Sequence, residues 1–251
     1  MTFDEKIQVA FTTERDQVWW NDLKPSIGVK RDDNYVFENF RTQPYMGYAG
    51  ASNQTEYSQS GLHIFFFISS EIRDESDIYW AKVMAPHEFV HLVQFQLTPG
   101  RIMGRYACWY IEGLARFYER ATQFDNRYPI GFSYRKFKKD ELNYFAYSVS
   151  KQDSSQQVSN WKISDYLEFL SKNQAPSSDA CITLKYGYSL GWPLSEKFYI
   201  DFGPERFVAL LESIGVTKDW EQSFLKVTGQ SHQDWLRNSA IPYLIEQSRS
   251  N

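Results

Sequence analysis

Cysteine is nearly absent from this sequence: Cys108 and Cys181 are the two in 251 residues. Two thiols cannot build a disulfide framework, and no Cys-x-x-Cys spacing offers a thiolate metal or redox site. They are able to pair once or not at all. A basic excess is missing too. The formal charge is −4, whereas a polyphosphate binder carries a basic footprint, so no nucleic-acid partner is expected. The one local run of cations, Arg135, Lys136, Lys138 and Lys139, is followed at once by Asp140 and Glu141 and reads as a solvated helix face. No apolar run approaches the length of a bilayer, and no signal-type stretch follows Met1 to Lys6, so a soluble chain without a membrane span is expected. Compartment and oligomeric state are not implied by any motif. There is no internal repeat and no low-complexity linker. Ser150 to Ser159, rich in Ser and Gln, is expected to loop over the surface.

Aromatic residues, by contrast, are abundant. They make up 18 % of the chain, about twice the usual share, and imply ring-walled packing or a cleft, with most of the rings filling the core. The length allows one sizeable domain, or two lobes sharing a cleft, without disulfide staples. We expect a single catalytic domain over residues 1–251, with approximate lobes 1–97 and 98–251.

The early chain carries strand signals. Ile7 to Thr12, Tyr35 to Phe40 and the run from Leu62 to Ser69, bounded by Gly61 and a Ser pair, are expected strands, and Gln17 to Leu23 an expected helix. From Asp77 to Gln96 the apolar spacing is helical, interrupted by Pro86, which either kinks the helix or opens it. Further helices are expected over 106–121, 160–171, 188–200, 205–214, 220–227 and 233–247, with Thr217 and Ser231 as N-caps. Strands early and helices late indicate an α+β chain with a small N-terminal sheet lobe and a mainly helical C-terminal lobe.

Histidine is scarce, four in all, yet two of the four bracket a glutamate in His87-Glu88-Phe89-Val90-His91. Residues four apart on a helix lie about 6 Å apart along one face, so both imidazoles can share one metal ion. Glu88 then stands beside the open position, where a carboxylate can take a proton from water acidified by zinc. A catalytic zinc needs a third protein ligand. Glu112 lies 21 residues after His91, on the next expected helix, and Gly113 and Ala115 beside it permit two backbones to approach closely.

The stretch from His87 to Glu119 resembles the gluzincins, metallopeptidases with two histidines and a distal glutamate as ligands. Trp109-Tyr110-Ile111-Glu112-Gly113-Leu114-Ala115-Arg116-Phe117-Tyr118-Glu119 is similar to the Trp-x-x-Glu-Gly-x-Ala-x-Tyr/Phe-x-Glu pattern of aminopeptidase-type and peptidase MA-like domains. The resemblance implies a zincin-like two-lobed fold, one Zn²⁺ on His87, His91 and Glu112, and Glu88 as general base. Glu119 is then either a partner behind the ligands or a surface acid. Tyr186-Gly187-Tyr188-Ser189-Leu190-Gly191 is similar to a Tyr-x-x-Gly element whose tyrosine steadies the oxyanion. That role falls to Tyr188, with Tyr186 the nearest substitute. The segment from Phe198 to Tyr243 resembles the helical tail of the same domains.

Departures refine the expectation. No Gly-x-Met-Glu-Asn element precedes the zinc helix, so a grip on a free substrate N-terminus is missing and an endopeptidase acting on peptides or proteins fits better than an aminopeptidase. Arg116 stands where thermolysin-like enzymes carry an aspartate, which leaves the groups behind the histidines undefined. The strand from His63 to Ser69 is either the edge that pairs with extended substrate or an ordinary strand. His63 and His232 are not expected to be ligands. Two rival readings remain: a non-catalytic zinc-binding scaffold of gluzincin fold, and a zinc hydrolase of a small non-peptide substrate.

Overall fold

The structure is a computed structural model that describes residues 7–26, 45–51, 62–68, 75–98, 106–122, 134–175 and 186–249. The chain divides into two compact units, Met1–Arg101 and Ile102–Asn251. The protein is mainly helical, which corrects the expectation of an α+β chain with a sheet lobe. Among the described residues its β structure is confined to strands β1 (Ile7–Thr12), β2 (Tyr45–Ala51) and β3 (Leu62–Ile68). Tyr35 to Phe40, read above as a strand, falls outside the described residues.

In the first unit the strands are ordered β1-β3-β2, with β1 parallel and β2 antiparallel to β3. β3 is therefore the central strand, not the edge considered above. Both of its rows of backbone groups are already paired, leaving none for an extended peptide. A parallel neighbour demands a crossover, and α1 (Gln17–Ser26) lies in the connection that supplies it. Helix α2 (Glu75–Leu97) packs against β2 and β3 and runs unbroken through Pro86. The proline forgoes one backbone bond to the carbonyl four residues earlier, and twelve further helical residues including Pro86 follow before the helix ends.

The second unit is all helix among its described residues. Its elements are α3 (Cys108–Ala121), α4 (Tyr134–Gln152), α5 (Ile163–Lys172), α6 (Tyr186–Ser189), α7 (Gly191–Phe202), α8 (Glu205–Thr217), α9 (Trp220–Thr228), α10 (His232–Trp235) and, after a π-turn at Leu236–Ala240, α11 (Ile241–Arg249). The loop expected at Ser150 to Ser159 begins later, because α4 continues to Gln152.

Helices α3 and α7 lie against each other along much of their length. Around them Trp109, Phe198, Trp220, Phe224 and Trp235 form a continuous ring cluster at centroid separations of 5.4–5.9 Å. Each such pair adds about 0.5–1.5 kcal/mol beyond area burial, so the aromatic excess in the composition is a core feature.

Local signals place most helix ends. Ser231 caps α10 by accepting from the Asp234 N–H at 3.0 Å, as its position predicts. Thr217 is not a cap. It closes α8, Lys218 turns left-handed at φ 60°, and Asp219 caps α9 by accepting from the Gln222 N–H at 2.8 Å. The basic run also divides: Arg135, Lys136 and Lys139 are solvated, but Lys138 is buried and donates to Glu196 at 2.7 Å and to the Tyr243 hydroxyl at 3.1 Å. Helical phase turns that one residue inward, where it ties α4 to α7 and α11.

Candidate metal centre

Helix α2 sets the two histidines on one face, as a four-residue step requires. His87 and His91 are buried, and their rings meet edge to face with centroids 4.9 Å apart. Their Nε2 atoms are 3.2 Å apart. Two nitrogens bound to one tetrahedral ion at about 2.05 Å stand about 3.3 Å apart, so the pair already has the spacing of two ligands on a single metal. Glu88 lies between them in sequence and is 6 % exposed. A carboxylate that deep in a protein is costly unless its surroundings use its charge.

The side chain behind His91 is a glutamine. Gln94, fully buried one helical turn on, places its Oε1 at 2.8 Å from His91 Nδ1. An amide oxygen accepts, so this contact suits a His91 ring that carries its proton on Nδ1. Sequence reasoning missed Gln94. The available signal was a lone amide at i+3 from a proposed ligand, in the otherwise apolar run Leu92-Val93-Gln94-Phe95.

Glu112 is half-buried in the second turn of α3. Its surroundings in that helix are set by three glycines. A Cβ on Gly113 would fall 2.2 Å from the carbonyl carbon of Gly191, and one on Gly191 would fall 2.6 Å from the Trp109 carbonyl oxygen. Backbone therefore touches backbone where α3 crosses α7. Gly113 admits α7 at this crossing. A Cβ on Gly187 would come within 3.1 Å of the Glu112 Cβ and 2.9 Å of Cys108 Sγ, so α6 seats directly on the turn that carries Glu112. His87 and His91 lie in the first unit and Glu112 in the second, and the three are of residue types that could hold a metal ion.

Tyr188 is half-buried on α6, one residue from Gly187. Tyr186 is fully buried and its hydroxyl donates to the Asn173 carbonyl; burial raises its pKa well above that of a free phenol. It is committed to the core and does not substitute for Tyr188. Glu119 is not a surface acid. It is buried, and it and Glu141 accept hydrogen bonds from Arg116, with Arg120 alongside. Burial works against the Arg116 charge, but the two carboxylates more than offset it and hold its pKa above the usual arginine value. Arg116 is thus part of an ion cluster joining α3 to α4.

His232 is a core histidine. The indole N–H of Trp109 donates to its Nε2 at 3.1 Å, while Nδ1 lies 3.3 Å from Glu221 Oε1 and 3.1 Å from Trp220 Nε1. His63 lies in β3, and its side chain is outside the described residues. Cys108 is disulfide-bonded, and the chain's two cysteines leave one possible partner within it. Among the described residues no helix is long and apolar enough to cross a membrane. No family model matches the chain, and neither a curated protein nor a solved structure matches it.

Proposed function

We propose that this chain is a zinc-dependent peptidase, with His87, His91 and Glu112 as ligands and Glu88 as general base. The observation that carries the reading is the Nε2–Nε2 separation of 3.2 Å between two buried histidines that flank a buried glutamate on one helix. Two neutral imidazoles and a carboxylate are the donor set that suits zinc and leaves a fourth position open. A zinc ion bound there would polarise a peptide carbonyl and make water a competent nucleophile near neutral pH. Glu88 would serve as the base that moves a proton from the attacking water to the leaving amine. Tyr188 donates a hydrogen bond to the oxygen on which charge develops, an interaction worth more in the transition state than in the ground state. Endopeptidase action fits better than aminopeptidase action, because no Gly-x-Met-Glu-Asn element precedes the helix that carries His87 and His91.

The test pairs metal content with turnover on unfolded proteins and quenched peptides, with and without chelator. Glu88→Gln is expected to retain zinc by elemental analysis while kcat falls about 10²–10⁴-fold, the usual contribution of a positioned general base. An unchanged kcat in that variant overturns the assignment of Glu88. A wild-type protein that holds zinc but cleaves nothing in the panel supports the scaffold reading instead.

A further inference from the structure

The second unit carries a cleft of about 1100 Å³ between the end of α4 and α5, and none of the metal-centre residues lines it. Trp161 and Phe169 line it half-buried, with ring centroids 5.5 Å apart. Tyr166 backs Trp161 at 5.1 Å, and Phe145 and Tyr186 each meet Phe169 at 5.3 Å. The charged groups of the lining are Asp153, Asp165 and Glu168 against a single cation, Lys172. The Ser155 hydroxyl and N–H donate to Asp153 Oδ1 at 2.6 and 3.0 Å and lower the pKa of that carboxyl, which stays ionised at neutral pH. Glu168 is exposed and has no hydrogen-bond or ion-pair partner among the described residues, although Lys172 stands one turn further along α5. The wall beside α5 is fixed: the Asn173 carbonyl accepts from the Tyr186 hydroxyl, and the next carbonyl, of Gln174, from the Cys108 N–H at 2.8 Å. Asn160 and Trp161 also border a second cavity, of about 690 Å³, whose charged groups are Lys162 and Arg249. Two cavities of opposite sign thus meet at one indole.

We propose that the acidic cleft is a docking site for the arginine side chains of a peptide segment. A guanidinium supplies the charge that balances Asp153, Asp165 and Glu168, and its planar fork of donors matches carboxylate oxygens. The same plane lies well on an aromatic face, whose quadrupole attracts a cation. Because the wall is already tied to α6 and α3, little chain has to be ordered when a ligand enters. A neutral sugar could stack on Trp161 equally well, but it would leave the excess of carboxylates unanswered. Two of the amides it would use are also engaged, since Asn160 Nδ2 donates to Gln157 Oε1 at 2.9 Å. The site goes beyond the peptidase reading and does not rest on it.

The experiment titrates the full-length protein calorimetrically with a short capped peptide of alternating glycine and arginine, with a chelator present to stop any metal-dependent cleavage. Binding that weakens as salt rises is expected. The same peptide with citrulline, which keeps the shape of arginine without its charge, should bind about 10-fold more weakly. Glu168→Gln should weaken binding of the arginine peptide about 2–5-fold, and Lys172→Gln should strengthen it by a similar factor. The gain in the second variant is a result that damage to the fold does not produce, and both positions are exposed. Equal affinity for the arginine and citrulline peptides overturns the proposal, as does an affinity that neither variant moves. A neutral gluco-oligosaccharide that binds where the arginine peptide does not also overturns it, and so does the absence of binding at millimolar peptide. Failure of the peptidase reading would leave this binding unchanged.

Discussion

A histidine's surroundings decide whether it is a ligand or a piece of core, and this chain holds both kinds. His87 and His91 face each other across a gap of tetrahedral size, whereas His232 is filled on both nitrogens by Trp109, Trp220 and Glu221. Trp109 and Trp220 donate their indole N–H groups to Nε2 and Nδ1 of His232, and Nδ1 also lies 3.3 Å from Glu221 Oε1, so a ring charged on both nitrogens would turn an N–H toward each indole N–H. Burial accordingly lowers the His232 pKa below its ordinary 6.5, although Glu221 pulls the other way. The unfolded chain then takes up this proton before the folded one does. Stability from this residue is complete above about pH 6.5 and drains away as pH falls below that value toward the lowered folded pKa. Urea unfolding at pH 7.5 and 5.5 should show wild type losing stability over the interval and His232→Gln losing measurably less. Equal losses would mean His232 is not the group responsible. Spacing sets His232 apart from the His87–His91 pair but does not show what surrounds it; its partners come from Trp109, 123 positions away, and from the neighbouring helix.

At the scale of the element, glycine and charge do what periodicity does not reveal. Periodic apolar spacing made the helices legible, and the i, i+4 step made the histidine pair legible, because both are properties of one helix. The crossing of α3 and α7 is not. Gly113 and Gly191 meet backbone to backbone, and a methyl at either must push the helices apart, since no side chain there can yield. Gly113→Ala should therefore cost about 3 kcal/mol, at the top of the range for overpacking, measured by denaturant unfolding. Gly187→Ala meets the side chains of Cys108 and Glu112 instead. It should cost less stability but displace Glu112, so zinc occupancy falls more than stability does. A Gly113→Ala protein as stable as wild type would refute the contact. Lys138 and Glu119 teach the same lesson for charge. Each looked solvent-facing or functional from its neighbours in sequence, and each is instead buried against a carboxylate or guanidinium supplied by its own or another helix.

Across the whole molecule helix dominates: among the described residues the sheet has three strands, while the aromatic excess is spent on helix packing in the second unit. Cys108, which is disulfide-bonded and fully buried, opens the helix that carries Glu112. Removing such a cross-link commonly costs about 2–5 kcal/mol, so Cys108→Ala should lower the denaturant midpoint accordingly, and a strong reductant should do the same to wild type. A midpoint unmoved by both would mean the cross-link contributes nothing. By itself the sequence determined the helical phase of most of the chain, the Ser231 cap and the shared face of His87 and His91, since each depends on neighbours within a turn or two. Only the tertiary structure decided the Gly113–Gly191 crossing, the burial of Lys138, the commitment of Tyr186 to Asn173 and the central place of β3. These depend on which distant segments meet, and that follows from how the whole apolar surface packs, not from any local spacing.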